Sequence, residues 1–334
     1  MPAPETIDVL FLLLPGSLVL DWAGPAEALR MANAQLAARG EPPRFRLRFI
    51  GPQASVAGSV GPLLGGLEPL PATLPAPSWL VLIGQPGDAL DLGTPDARAA
   101  LHWLRGLRLV ESQLELVCVC AGAVIAAHAG LLAGRQATTH HQHLDELRAA
   151  EPACAVLANR VFVHDGSVWT SAGVTCGIDL ALHRIAAVCG APLAARVAQS
   201  LVVALRRGPH DAELSPFLRH RDHLHPAVHR VQDAISQAPQ QDWPLAAMAD
   251  IAHTSPRHLT RLFAEHAGTS PQDYLRGIRL DLARVALGSG RTVSQAADLA
   301  GFGSDTQLRR AWHAARLSGR PSDAAASPGG QSRY

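Results

Sequence analysis

The chain contains no lysine, and all 29 of its basic residues are arginine. Arginine and lysine serve equally well at most solvated positions, so we attribute this absence to genomic base composition rather than to function. The chain also lacks an apolar run of the roughly 20 residues that a membrane-spanning helix needs, which argues against a membrane partner. The apolar stretch 9–14 is short and follows Glu5 and Asp8 without a basic flank. A buried strand is predicted there rather than a signal peptide.

Cysteine is scarce, with five residues in 334. An odd number without an export signal predicts free thiols and a cytoplasmic location. A hydrophobic content of 48% and a charged content of 17% exclude a disordered chain and indicate a soluble globular one. The length allows two domains, each with its own core.

Neither sign of charge is in large excess, since the net charge is +1. The charge is unevenly spread, however: residues 1–205 hold 13 arginines against 16 acidic residues, and residues 206–334 hold 16 against 12. A mildly basic C-terminal part is compatible with a polyanionic partner, although this balance alone is weak evidence.

The first 190 residues alternate short β-rich runs with helical patterns. Strands are predicted at 9–14, 45–51, 79–84, 114–120, 160–166 and 167–173. Helices are predicted at 25–39, 94–107, 121–129 and 177–188. Near-continuous apolar strands separated by helices are typical of an α/β, flavodoxin-like parallel-sheet sandwich covered on both faces. A ligand is expected at the carboxyl ends of such strands.

The pattern changes after about residue 206. Residues 206–225 are rich in proline, histidine and charge, which predicts a linker between an α/β domain (1–205) and an all-α domain (226–320). The last residues, 321–334, are small and polar, and a disordered tail is predicted there.

The all-α domain contains a degenerate repeat, in which residues 244–268 align with residues 292–315. The segment 249–252 (ADIA) matches 297–300 (ADLA), and Ser255 matches Ser304 after one inserted residue. Each copy predicts a helix, a tight turn, a serine N-cap and a second helix. This is the pattern of a helix-turn-helix unit.

The second helix of each copy is apolar on one face and polar on the other. Arginine can contact guanine, and glutamine can contact adenine, in the major groove of DNA. The DNA-binding candidates are Arg257, His258, Thr260, Arg261, Asp305, Thr306, Gln307, Arg309 and Arg310. A predicted helix at 271–287, about 25 Å long, could set the two recognition helices near one DNA turn apart, about 34 Å. The alternatives are a bundle whose arginines form a solvated face and a scaffold that binds protein.

These motifs resemble the AraC/XylS family of transcription regulators over about residues 226–317. The matching stretches are SPRHLTRLF, GTSPQDYLRGIRLDLAR and GFGSDTQLRRAW. The resemblance puts the base-contacting positions on Arg257, Thr260, Arg261, Asp305, Thr306 and Arg310. The first turn departs from the family pattern, with His253-Thr254 where a glycine is common. The last helix also departs, because it runs into ARLSGRPSDAAA without the usual aromatic and arginine ending.

The first 190 residues resemble the class I glutamine-amidotransferase-like, PfpI-type domain that is often fused in front of such a module. The matching stretches are LDWAGPAEALRMAN, VCVCAGAVIAAHAGLLAGRQATTHH and TSAGVTCGIDLALHRIA. The joint architecture is typical of regulators that sense small nitrogen-containing metabolites. It implies double-stranded DNA, a small effector, a second copy of the chain and RNA polymerase as partners.

Cys120 lies on a predicted strand-to-helix turn, where hydrolases place a nucleophile. A nucleophilic thiol needs a lowered pKa, hence a nearby base or a helix N-terminus. In PfpI-type hydrolases a histidine follows this cysteine, and in isonitrile-hydratase-like relatives a threonine does; here the residue is Ala121. We therefore expect no enzyme activity and no cofactor. The alternative is a Cys120-dependent amidase or hydratase with a tethered DNA-binding domain.

Five residues are candidates for ligand binding, namely Asp21, Cys120, Ala121, His140 and Cys176. Asp21 could present a carboxylate to an amine or guanidinium group, or it could cap a helix that starts near Pro25. Cys176 could be a second pocket thiol or a small packing residue, and the neighbouring His141 could also approach the strand ends.

No metal site is expected from the sequence. Cys118 and Cys120 point to opposite faces of a strand, so they form a poor pair for one ion. The linker histidines His220, His223, His225 and His229 suggest zinc, but the cluster has no cysteine and no firm helical pair beyond His225 and His229.

Overall fold

The computed structural model describes residues 5–87, 89–203, 207–209, 211, 213, 219–221, 223–288, 290–315, 317 and 319–325. The chain divides into two compact units, Met1–Glu213 and Leu214–Tyr334. Within the described residues, no helix combines the length and the apolar character needed to cross a bilayer.

The N-terminal unit is built around a six-stranded sheet. Its strands are β1 (Ile7–Leu12), β2 (Phe45–Ile50), β5 (Ser78–Ile83), β6 (Leu114–Val119), β9 (Phe162–Asp165) and β10 (Val168–Ser171). Their order is β2-β1-β5-β6-β10-β9, and every pairing is parallel except that of β9 with β10. The predicted parallel α/β sandwich is confirmed.

Helices cover both faces of this sheet, which explains why β1 and β5 are buried along their whole length. Val9 and Phe11 of β1 pack on one side in a core with α1 (Val19–Ala37), α5 (Thr175–Cys189) and α6 (Ala191–Ser200). Leu10 and Leu12 pack on the other side with α2 (Pro95–Arg105) and α3 (Gly122–His128). Successive side chains of a strand point to opposite faces, so a strand buried on both faces is apolar throughout.

Smaller elements complete the unit. They are the hairpin of β3 (Ser55–Ala57) and β4 (Leu63–Gly65), the pair β7 (Gln136–Ala137) and β8 (Ala155–Val156), a 3₁₀ turn (His141–His143) and α4 (Leu144–Ala150). The periodicity of the sequence predicted none of these elements, nor α6.

The start of α1 differs from the prediction. The helix begins at Val19, and Pro25 lies inside it rather than at its first position. Asp21, Gly24 and Pro25 are all buried, so tertiary packing overrides the local preference of proline for a helix start.

The second unit contains helices and no strand among its described residues. Its helices are α7 (Pro226–Gln237), α8 (Leu245–Ile251), α9 (Pro256–Leu262), α10 (Pro271–Gly288), α11 (Val293–Leu299), α12 (Asp305–Ala314) and α13 (Pro321–Ala325), with a π-helical turn (Phe263–Ala267) after α9. The predicted all-α domain with two helix-turn-helix units is confirmed.

Helix α10 connects the two copies of the repeat by contributing to two apolar clusters. Tyr274 and Ile278 pack with Phe263 in the first cluster, and Leu287 packs with Trp312 in the second. One rigid helix of 18 residues therefore belongs to both cores.

Residues 321–325 are helical rather than part of a disordered tail. Pro321 is buried at the start of α13, and the Asp323 carboxylate accepts a hydrogen bond from the Arg320 N–H at 2.7 Å. These contacts stabilise a short helix that composition alone does not indicate. Residues 326–334 of the predicted tail lie outside the described residues.

Candidate functional site

Cys120 lies in the bend between β6 and α3, and its backbone has a left-handed φ of +57°. Its N–H donates to the Ser171 carbonyl at 3.0 Å, and the Thr139 hydroxyl donates to its carbonyl at 2.8 Å. A non-glycine residue in this conformation costs about 1–3 kcal/mol and persists only where its surroundings fix it. The predicted sharp turn is therefore present and held from two sides.

Two glycines allow the chain to close around the bend. A Cβ on Gly173 would lie 2.3 Å from the Cβ of Cys120, and a Cβ on Gly84 would lie 2.9 Å from the Ala121 nitrogen. Neither position can hold a side chain without moving the bend. Ala121 itself is fully buried.

Asp21 is fully buried beside Cys120. Its Oδ1 accepts a hydrogen bond from the Val174 N–H at 2.7 Å, so the predicted role as a cap near Pro25 is wrong. The Cys120 thiol lies beside the carboxylate, but Oδ2 accepts no hydrogen bond of good geometry from the described residues. Burial raises the pKa of Asp21, and the Val174 N–H, the Cys120 thiol and the Gly84 N–H each offset this in part.

The Cys120 thiol is protonated at neutral pH. Burial raises its pKa, and the neighbouring Asp21 carboxylate raises it further. Among the described residues, no imidazole contributes to the pKa of this thiol. A nucleophilic cysteine needs the opposite environment.

A second polar group surrounds Cys176 at the start of α5. Burial raises the pKa of Cys176 to about 11, and the Arg207 guanidinium partly counteracts this. Arg207 donates to Asp179 Oδ2 and to the Thr175 hydroxyl, both at 2.8 Å. The charge of Glu213 raises the pKa of both Cys120 and Cys176. The polar residues around Cys176 therefore lie close to those around Cys120.

His140 and His141 lie just before α4, with their ring centroids 4.1 Å apart. Burial, together with the charges of His141 and His143, lowers the pKa of His140 to about 4. His141 contacts the Glu213 carboxylate through Nδ1 at 2.8 Å. Thr139 links this turn to Cys120, so both histidines lie near the strand ends.

Sequence reasoning missed Arg207 and Glu213, because both fall in the predicted linker. Charged residues are ordinary in linkers, and no local signal distinguished these two. In the structure they belong to the N-terminal unit.

The other thiol and histidine candidates lie apart from these groups. Cys118 packs on the opposite face of the sheet from Cys120. In the linker, His220 pairs with the Ala267 carbonyl, and His229 contacts the His223 carbonyl. In the described part of the chain, the linker histidines do not bring three metal-ligating atoms together.

In the second unit, both predicted serine caps are present. The hydroxyl of Ser255 accepts from the His258 N–H, and that of Ser304 accepts from the Gln307 N–H, both at 3.3 Å. They begin α9 and α12, the second helices of the two copies.

The DNA-binding candidates lie on the outer faces of these helices. His258 and Asp305 are half-buried, and the others are exposed, namely Arg257, Thr260, Arg261, Thr306, Gln307, Arg309 and Arg310. Two side chains make local contacts: the Arg261 guanidinium lies 3.1 Å from His258 Nδ1, and Gln307 Oε1 accepts from the Gly303 N–H at 2.9 Å.

Comparison with known proteins assigns both units. Residues 78–187 match the DJ-1/PfpI family, and residues 248–317 match a helix-turn-helix domain. The chain is 30% identical to the HTH-type transcriptional regulator CdhR of Pseudomonas aeruginosa over 320 residues, which covers 94% of this chain and 90% of that one. It is also 30% identical to the HTH-type transcriptional regulator GlxA of Rhizobium meliloti over 303 residues, 90% of each.

The chain belongs to this family of HTH-type transcriptional regulators. Its members join an AraC-type helix-turn-helix domain to a DJ-1/PfpI domain. The regulator is therefore a DNA-binding protein, as the repeat predicted. The N-terminal fold also resembles a ThiJ/PfpI family protein from Pseudomonas syringae, with a TM-score of 0.51 and 20% identity over 64% of this chain and 81% of that one.

Proposed function

We propose that this regulator is a cytoplasmic homodimer that reads an operator half-site through α9 and α12 under the control of a small nitrogen-containing metabolite. The metabolite binds at the strand ends beside Asp21 and Cys120, with His140 and Cys176 nearby. Effector binding shifts the chain between two states that differ in DNA affinity or in contact with RNA polymerase.

The observation that carries the proposal is the carboxylate of Asp21. It is fully buried, and Oδ2 accepts no hydrogen bond of good geometry from the described residues. A buried carboxylate oxygen without a well-placed donor is unfavourable, and a cationic or N–H-bearing ligand relieves this. This favours amines, amino acids and related nitrogen compounds over neutral or anionic effectors.

The same group of residues does not favour catalysis. The Cys120 thiol faces a carboxylate instead of an imidazole, and its pKa is raised by burial. Ala121 follows it where a catalytic relative would have a histidine or a threonine. We assign Cys120 to the wall of the pocket.

An exposed apolar region of the N-terminal unit supports the homodimer. Ser59, between β3 and β4, accepts a hydrogen bond from the Val19 N–H at the start of α1. Close to this contact, Val60 and Leu63 are 73% and 71% exposed, and Leu20 is 49% exposed. Large apolar side chains exposed together are typical of a protein interface.

The experiment is a thermal-shift screen of amines, amino acids and betaines against the full chain and an Asp21→Asn variant. We expect a nitrogen compound to raise the Tm of the wild type and to leave the Tm of the Asp21→Asn variant unchanged. Gel mobility shift with the promoter of the regulator's own gene then measures whether that compound changes DNA affinity. A compound that stabilises both proteins equally would place the effector elsewhere.

A further inference from the structure

Three metal-ligating side chains converge at the edge of the N-terminal unit. His140, His141 and Glu213 each offer one ligand atom, and these atoms all lie within 4.8 Å of one another. No other trio of histidine, cysteine, aspartate or glutamate does this among the residues that the structure describes.

Glu213 is the residue that distinguishes this cluster from a surface ion pair. Its side chain is only 5% exposed. Oε1 accepts from the His141 N–H at 3.1 Å and lies 2.8 Å from His141 Nδ1. Oε2 is buried and has no hydrogen-bond partner among the described residues. Buried carboxylate oxygens are normally paired, so this atom lacks a cation or a donor.

The Arg207 guanidinium does not supply that cation. Arg207 directs its guanidinium to the Asp179 carboxylate and the Thr175 hydroxyl, and it reaches Glu213 only at the backbone carbonyl, at 3.3 Å. Among the residues that the structure describes, the groups placed to bind a cation together with the Glu213 carboxylate are therefore the two histidines.

We infer that His140, His141 and Glu213 bind a divalent transition-metal ion of the Zn²⁺ class. Two imidazole nitrogens and one carboxylate oxygen form a donor set that Zn²⁺ accepts readily, whereas Mg²⁺ and Ca²⁺ prefer oxygen alone. Three protein ligands leave one tetrahedral position for water or an exogenous ligand.

Such an ion joins two segments that are far apart in sequence. Glu213 is the last residue of the N-terminal unit, and the next residue begins the DNA-binding unit. His140 lies in the turn that Thr139 ties to the Cys120 carbonyl. The metal ion therefore fastens the chain, at the point where it leaves the sensing unit, to the turn beside the proposed pocket. Because metal binding stabilises the state that holds the ligands together, it also raises the stability of that unit.

The test uses the full chain, stripped with a chelator and kept reduced, and titrates it with ZnCl₂ in a calorimeter. We expect one tight site per chain. His140→Ala and Glu213→Gln should each weaken that site by at least about tenfold, because removing a residue that binds the ion directly costs no less affinity than removing a residue that only orients such a ligand. His229→Ala, which alters the linker cluster, and His128→Ala, an exposed histidine on α3, should leave the affinity unchanged.

Substitution with Co²⁺ identifies the donor atoms. We expect ligand-field bands without a thiolate-to-cobalt band in the near ultraviolet. A thiolate band, unchanged Zn²⁺ affinity in His140→Ala, or loss of the site in His229→Ala would each overturn the assignment. Glu213 is buried, so the Tm of the metal-free Glu213→Gln protein is measured as well. If that variant is unfolded, His140→Ala decides the question.

Discussion

His253 and Gly301 occupy the same position in the two helix-turn-helix copies, and both have a left-handed backbone, with φ of +54° and +76°. Each lies two residues after the last residue of the first helix of its copy. The N–H of His253 donates to the Asp250 carbonyl, and that of Gly301 donates to the Asp298 carbonyl, both at 3.0 Å. The two turns are therefore closed in the same way, although only one contains the glycine that is common in the family.

Replacing His253 with glycine should stabilise the helical unit. An L-residue in the left-handed region costs about 1–2 kcal/mol, and glycine removes this strain at an entropic cost of about 0.5–1 kcal/mol. His253 is exposed and loses no buried contact. We expect a gain of about 0.5–1 kcal/mol from the difference, measured by calorimetric unfolding of the full chain. His102→Gly, on the exposed face of α2, should destabilise its unit instead, because its backbone is helical.

Replacing Gly301 with alanine should destabilise the second turn by more than the backbone strain of a left-handed φ. A Cβ at this position would lie 2.6 Å from Cα of Gln240 and 2.9 Å from its carbonyl oxygen. These are backbone atoms and cannot rotate away. Gly290 is the matched control, because it also has a left-handed φ but its Cβ would meet nothing within 4 Å. We expect Gly301→Ala to lose about 1–3 kcal/mol more than Gly290→Ala, and equal losses in chemical denaturation would contradict the clash.

Local pattern determined much of this fold in advance, and long-range contacts determined the rest. The core strands were predictable because burial on both faces makes a strand apolar throughout. The two helix-turn-helix copies were predictable from their repeat and from the Ser255 and Ser304 caps. The role of Asp21 was not predictable, since its hydrogen-bond partner Val174 lies 153 residues away in sequence. Glu213 was missed for the same reason, because its contact with His141 spans 72 residues.

Arginines on the second helices should contribute directly to operator affinity. Arg261 and Arg310 are exposed on α9 and α12, where a guanidinium can reach a guanine edge. We expect Arg261→Ala and Arg310→Ala to weaken operator binding by about 1–3 kcal/mol each and to relax specificity at one base pair. Gel mobility shift at fixed salt measures this. Arg276→Ala on α10, whose guanidinium pairs with Asp273, is the control and should change affinity little. Unchanged specificity in both test variants would contradict the groove assignment.

Cys120 should be dispensable for DNA binding and for regulation. Its thiol is buried and protonated, and a serine hydroxyl can occupy nearly the same volume beside Asp21. We expect Cys120→Ser to keep the operator affinity of the wild type within about twofold, because serine preserves the size and the neutral state of this side chain and so leaves the two-state equilibrium unchanged. A reporter assay in cells measures the regulatory response. Loss of that response with intact DNA binding would give the thiol a chemical or redox role.

Asp21→Asn should stabilise the chain at neutral pH while abolishing the effector response. Burial raises the pKa of Asp21 in the folded protein above the ordinary value of 3.8. Between the pKa of Asp21 in the unfolded chain and its higher pKa in the folded protein, the folded state binds more protons than the unfolded chain. The free energy of unfolding therefore falls as pH rises through this window. Above the folded pKa of Asp21, this loss of stability has reached its full value and no longer changes with pH. Asparagine cannot ionise and therefore avoids the loss, and its side-chain oxygen can still accept from the Val174 N–H.

The Tm of Asp21→Asn should accordingly exceed that of the wild type at pH 7. The difference should shrink as pH falls through the folded pKa of Asp21 and should be absent below its unfolded pKa. The control is Asp298→Asn, which changes an exposed carboxylate on α11 and should alter stability little at either pH. A lower Tm for Asp21→Asn at pH 7 would mean that the ionised carboxylate is stabilised by its surroundings without a ligand. The pocket would then have no need of a cationic effector.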